Sequence, residues 1–217
     1  SFEIVDLALV RYIASTGKPM IMSTGMADMA EIDQAVQAAR DGGCKDLILL
    51  HCVSGYPAPA SDYNLRTLPD IAERFDTVVG LSDHTLDNST AITSVALGAA
   101  VIEKHVTLSR QGGGPDDSFS LEPQEFNALC VGARKGWEAL GKVDYGRKPS
   151  ELENVKFRRS LYFVRDLKAG EAITEDAVRS VRPGYGIEPK WKTTIVGKTV
   201  TLDVKKNTPV SLDVIKN

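Results

Sequence analysis

Four short, continuously apolar runs constrain this chain more than anything else in it. They are PMIMS from Pro19, DLILLHC from Asp46, TVVGLS from Thr77 and AVIEKHV from Ala100. Strands that stay apolar at successive positions are buried on both faces, as in a parallel sheet covered by helices. Parallel neighbours cannot be joined by a tight turn, so a crossover segment must lie between them. The intervening sequence supplies it, with helical spacing over Ile4–Ala14, Met29–Arg40, Leu68–Phe75, Thr90–Leu97 and Glu122–Leu140. Stops such as Thr16-Gly17 and Asp41-Gly42-Gly43 end two of these helices, Asn88 or Ser89 caps another, and Pro123 opens the longest. The expected class is therefore α/β, built from repeated strand–helix units.

Polar residues gather just after each run: Ser23-Thr24, His51 to Ser54, Ser82 to His84, and Lys104-His105. In a (β/α)8 TIM barrel that carboxyl rim is where active sites are built. Four units make only half of such a barrel, and a half-barrel has two open edges and an exposed inner face. The sequence also starts inside an element at Ser1, so the expectation is the C-terminal half of a TIM barrel from a longer chain. After Gly141 the composition turns polar, and from Ser160 short apolar runs alternate with turns such as DLKAGE and VKKNT. The expected domains are a partial barrel over 1–140, a linker over 141–159 and a small β-rich domain over 160–217.

Bulk properties exclude some classes. A net charge of −3 and a pI near 5.7 give no basis for nucleic-acid binding. No apolar run approaches the ~18 residues of a membrane span. Cys44, Cys52 and Cys130 are odd in number and lack metal-ligand spacing, which reads as reduced thiols in a cytoplasmic protein.

Of the three histidines, His84 and His105 lie one strand–helix–strand step apart. Adjacent parallel strands lie ~4.8 Å apart, so two rim imidazoles can share one divalent cation such as Mn or Zn acting as a Lewis acid. Each is equally readable as a hydrogen-bonded rim residue, and His51, also at a strand end, leaves the choice of pair open. The hydroxyls of Ser1, Ser23, Thr24, Ser54 and Ser82 suit a phosphate or a cap. Asp116 in GGGPDD, Tyr56 in GYPAP and Glu3 suit sugar contacts, or else a plain turn, a gap filler and a surface carboxylate. Arg182 reads alone as a solvated charge. Cys52 lacks an identifiable base and orienting group for a catalytic role.

At these residues the chain resembles the sialic acid synthase family: STGM (23–26), LLHCVSGYPAP (49–59), GLSDHT (80–85), VALGAAVIEKHVTLSR (95–110) and GGPDDSFSLEP (113–123). The tail SLYFVRDLKAGEAITEDAVRSVRPGYG resembles that family's C-terminal antifreeze-like (SAF, β-clip) domain. YPAPASDYNLRTLPD, GGGPDDSFSLEP and VKFRRSLYFV look most like the pseudaminic acid synthases within it. The resemblance implies condensation of phosphoenolpyruvate with an amino-sugar aldehyde, releasing phosphate. It implies that His84 and His105 bind Mn or Mg, that Ser1, Ser23, Ser54 and Ser82 hold phosphoenolpyruvate, and that Glu3, Tyr56 and Asp116 face the sugar. It also implies a domain-swapped homodimer in which Arg182 arrives from the partner, and phosphate-binding lysines upstream of Ser1. Ser54 stands where the sialic acid branch often has Asn. Rival readings are N-acetylneuraminate or legionaminate synthesis, a metal-dependent aldolase on the same barrel, and a non-catalytic carbohydrate- or ice-binding module. The tail has no regular Thr array, which argues against ice binding.

Overall fold

The computed structural model describes residues 1–216. They form two compact units, Ser1–Lys142 and a second from Val143 onward.

The first unit is a four-stranded, all-parallel sheet in sequential order: β1 (Met20–Ser23), β2 (Leu47–Cys52), β3 (Val78–Asp83) and β4 (Val101–Lys104). The register runs Ser23↔Leu50, Cys52↔Ser82 and Asp83↔Lys104, so all four carboxyl ends share one rim. Between and around the strands lie α1 (Leu7–Ala14), α2 (Met29–Asp41), α3 (Thr67–Phe75), α4 (Ser89–Ala96) and α5 (Pro123–Leu140). One sheet face packs on these helices through Met20, Met22, Leu49, Val79 and Leu81. The other face carries Ile21 and Val78 more than 45% exposed, at 55% and 49%. This is the half-barrel arrangement, with outer edges at β1 and β4.

Local chemistry explains most boundaries. Asp28 caps α2 by accepting from the Glu31 amide at 2.9 Å while Glu31 accepts from the Asp28 amide at 2.9 Å. Glu122 and Glu125 form the same box at the start of α5, with Pro123 in its first turn. Two expected elements are shorter than their apolar patterns. The Ile4–Ala14 helix is broken at Asp6, whose side chain accepts from the Leu9 amide at 3.0 Å, and a 3-10 turn occupies Phe2–Val5. The capping carboxylate outweighs the apolar periodicity there. The fourth strand ends at Lys104, and Val106 makes only an isolated bridge to Leu121.

In the second unit β5 (Ser160–Phe163) pairs antiparallel with β6 (Val178–Val181). Leu161, Phe163, Leu167, Ile173, Val200, Val204 and Val210 close its core. The runs around Val200 and Val210 form isolated bridges, Val200↔Ile215 and Tyr162↔Pro209, rather than strands. The polar 141–159 segment contains a 3-10 stretch over Pro149–Phe157 with no buried residue.

Candidate active site

Two buried residues, Ser82 and His84, project from the sheet face opposite the helices and alternate with Leu81 and Asp83 on β3 and the turn that follows it. Glu103 and His105 do the same on β4. This alternation brings the His84 and His105 rings to 5.2 Å between centroids. His51 is one residue out of phase. It faces the helices, its Nε2 donates to the Tyr63 carbonyl, and burial pulls its pKa below the ordinary value. Of the three histidines, the fold brings His84 and His105 together and sets His51 apart.

His84 is held at several points. Its amide donates to the Tyr63 hydroxyl at 2.6 Å, and its carbonyl accepts from the Ala58 amide at 3.0 Å. Its Nδ1 lies 2.8 Å from the Val53 carbonyl. A carbonyl only accepts, so Nδ1 carries the proton and the neutral ring keeps its Nε2 lone pair free. Cys52 Sγ lies 3.9 Å from the same Nδ1. Burial is the largest influence and pushes that thiol up, but the polar side chains around it, His84 foremost, together outweigh it and the pKa falls to about 7. Burial opposes charging of His84, yet Cys52 and the Val53 carbonyl raise its pKa above 6.5. Cys52 Sγ thus faces a protonated nitrogen, which has no lone pair to take up the thiol proton, and a base for Cys52 is not supplied by this contact.

His105 Nδ1 is 3.5 Å from Asp116 Oδ2. Asp116 reaches this position because its loop is tied back on itself: Gly114 N donates to Asp117 Oδ2 at 2.8 Å and Ser120 Oγ to the Asp116 carbonyl at 2.7 Å. Arg110 anchors the same loop to the Ser120 carbonyl at 3.0 Å and to Glu125. Tyr56 stacks 4.4 Å from His84, and Phe119 lies 5.2 Å from His105 and 5.3 Å from Tyr56. Phe119 was not a sequence candidate, and nothing in its spacing marks it. Glu103 was also missed. It accepts from Ser82 Oγ at 2.9 Å and lines a cavity with Ser82, His84, Lys104 and His105. Its position two residues before His105 in a strand was the signal.

Ser1 and Ser54 meet through their hydroxyls at 3.2 Å. Both crowd Gly25, where an added Cβ would lie 2.2 Å from Ser54 Oγ and 2.9 Å from Ser1 Cβ. Ser23 Oγ is buried with no hydrogen-bond partner among the described residues, and it lines one cavity with Ser1 and Glu3. A buried hydroxyl without a partner calls for one from a ligand or water. Glu3 itself is 72% exposed on its side chain. Thr24 Oγ1 donates to the Leu50 carbonyl at 3.1 Å, which is a structural bond. Arg182 belongs to the second unit, exposed at the end of β6 before Pro183.

Among the described residues no three His, Cys, Asp or Glu side chains cluster as a closed metal cage. Two imidazoles leave positions open, which is what a catalytic cation requires for substrate and water. The free Nε2 of His84 and the neighbouring His105 fit that role. No helix among the described residues is long and apolar enough to cross a membrane.

Residues 1–145 match the NeuB family and residues 158–216 match the SAF domain. The chain is 38% identical over its whole length to the pseudaminic acid synthase of Helicobacter pylori, covering 64% of that protein. It is also 38% identical to the N,N'-diacetyllegionaminic acid synthase of Campylobacter jejuni, over 95% of this chain and 63% of that one. The crystal structure of the spore coat polysaccharide biosynthesis protein SpsE of Bacillus subtilis superposes with a TM-score of 0.62 at 31% identity, covering 100% of this chain and 66% of that one. The chain spans somewhat under two thirds of the length of the curated relatives it matches. With a parallel half-barrel, paired rim imidazoles and matches over both units, the chain belongs to the NeuB family and carries a SAF domain.

Proposed function

We propose that this chain carries the condensation site of a pseudaminic acid synthase, a transferase that joins phosphoenolpyruvate to a 2,4-diacetamido-2,4,6-trideoxy hexose. The observation that carries the reading is the His84–His105 pair at 5.2 Å, with the His84 proton fixed on Nδ1 by Val53. These two side chains would hold Mn or Mg, which when bound supplies Lewis-acid polarisation of the aldehyde oxygen.

The remaining roles belong to the chain's own groups. Ser1, Ser23, Ser54 and Ser82 hold the anionic groups of phosphoenolpyruvate; the unpartnered Ser23 Oγ supports this, and Ser82 donates there on giving up its bond to Glu103. Glu3, Tyr56 and Asp116 orient the sugar, with the Tyr56 ring and Phe119 giving an apolar wall beside the imidazoles. Holding both substrates in line removes much of the entropic barrier. In the reaction, C3 of phosphoenolpyruvate bonds to the aldehyde carbon. Water adds at C2, one of its protons goes to the oxygen anion formed from the aldehyde, and the other goes to the phosphate as the C–O bond to it breaks and C2 becomes a ketone. A homodimer in which a second copy delivers the exposed Arg182 is part of the proposal.

The legionaminic acid synthase relative is as similar as the pseudaminic one, which favours a second reading for the sugar alone. Specificity between such isomers rests on a few pocket contacts. The assay measures phosphate release from phosphoenolpyruvate with each diacetamido sugar. It is run on the chain and on the chain joined to the preceding segment of the H. pylori relative. Release should need the aldehyde and cease with a chelator. Chelator-resistant release would remove the metal role, and sugar consumption without phosphate would indicate the aldolase instead.

A further inference from the structure

Asp83 and Lys104 form the last directly opposed pair of the β3–β4 ladder. Their side chains are 0% and 1% exposed, with Lys104 Nζ 2.7 Å from Asp83 Oδ2. The ammonium also donates to the Thr85 carbonyl at 2.6 Å, Thr85 Oγ1 at 3.2 Å and the Asp87 carbonyl at 2.8 Å. Asp83 Oδ1 in turn accepts from the Thr85 amide at 2.9 Å. The whole turn from 83 to 87 therefore hangs on one buried ammonium.

Such a pair is a poor source of net stability. The cost of removing two charges from water offsets most of their attraction, and well-packed neutral replacements are often as stable. Its placement is more informative than its energy. Asp83 immediately precedes His84, and Lys104 immediately precedes His105. Strand alternation puts the ion pair on the helix side and both imidazoles on the open side. The ammonium grips the chain on both flanks of His84, at Asp83 and at Thr85.

We propose that Asp83 and Lys104 are positioning residues, which set the spacing of His84 and His105 and hold His84 against the Val53 carbonyl without touching cation or substrate. The cation arm of the test rests on the metal reading above, whereas the imidazole arm does not.

The test compares wild type, the neutral pair Asp83→Asn/Lys104→Met, and Ile71→Val as a control for lost packing elsewhere in the core. The first readout is the His84 Nδ1–H signal in imidazole nitrogen–proton NMR of the metal-free chain. The second is Mn2+ affinity by electron paramagnetic resonance. The neutral pair should keep a cooperative unfolding transition, lose or broaden the His84 Nδ1–H signal, and bind Mn2+ about 10- to 100-fold more weakly, the usual effect of disturbing groups behind a metal ligand. Ile71→Val should leave both readouts unchanged. An intact His84 signal in the neutral pair, or equal losses in Ile71→Val, would overturn the proposal. If the neutral pair does not fold, Asp83→Asn alone carries the same prediction in the same direction. Wild type that binds no Mn2+ but shows the NMR difference would refute the cation reading and leave the positioning role standing.

Discussion

Substituting Gly80 by alanine tests the sheet geometry under the site. Gly80 sits on the open face of β3, one residue before Leu81 and opposite Val101. A Cβ there would lie 2.5 Å from the Val101 carbonyl oxygen, 2.6 Å from Leu50 Cδ2 and 3.0 Å from Val101 Cβ. The Leu50 methyl can rotate away, but the carbonyl belongs to the β3–β4 ladder and cannot move without shifting β4. Ordinary contacts lie near 3.5 Å, so the strands must part by about 1 Å. Overpacking of this kind costs about 1–3 kcal/mol. For a chain of this size that is a fall of roughly 2–12 °C in the melting temperature of the first unit. Because β4 carries His105, Mn2+ affinity should fall with it. Thermal unfolding by circular dichroism gives the first number. Adding Leu50→Ala should not rescue the variant, because it leaves the carbonyl clash in place. A Gly80→Ala protein within about 0.5 kcal/mol of wild type, a margin ordinary for neutral surface changes, would mean that the β3–β4 ladder yields to the added methyl without cost.

Other expectations follow from the same geometry. Tyr63→Phe leaves the His84 amide without its acceptor in a buried setting, and should cost about 1–3 kcal/mol in urea unfolding. His84→Ala should abolish tight Mn2+ binding, whereas His51→Ala, on the opposite face, should lower stability and leave Mn2+ affinity near wild type. Protons compete with metal for imidazole nitrogen. The His84 pKa is raised, so Mn2+ affinity should decline on acidification from a higher pH than the 6.5 of a free imidazole. Raised pKa also means that His84 stabilises the metal-free fold below pH 6.5 and loses that contribution as pH rises through its folded value. Cys52 has the opposite sign. Its contribution is present above pH 9.0 and is lost as pH falls through about 7, which thiolate absorbance in the ultraviolet can follow.

The strands were legible because they carry apolar residues at successive positions, the pattern of parallel strands, and so read as unbroken apolar runs. The rim was legible for the same reason, since polarity returns where each run ends. Boundaries set by a single side chain were harder to see. Asp6 interrupts an apolar stripe that by periodicity alone runs through from Ile4 to Ala14. His51, at a strand end like the others, could be told apart from them only once the strand phase was known. Asp83 and Lys104 were legible in SDH and EKH only as polar rim residues, because burial depends on partners that sequence does not display. Phe119 approaches His105 only through the folded GGGPDD loop, a contact with no periodic signature. In the second unit turns divide the apolar runs so finely that most pair as isolated bridges.

The proposed condensation at this rim breaks the C–O bond of phosphoenolpyruvate. Phosphoenolpyruvate labelled with heavy oxygen at the bridging position tests it directly, using the chain joined to its relative's preceding segment, Mn2+ and the diacetamido sugar. The label should appear in inorganic phosphate, and His84→Ala should stop its release. Label retained in the sugar acid, or no phosphate formed from any diacetamido sugar, would contradict it.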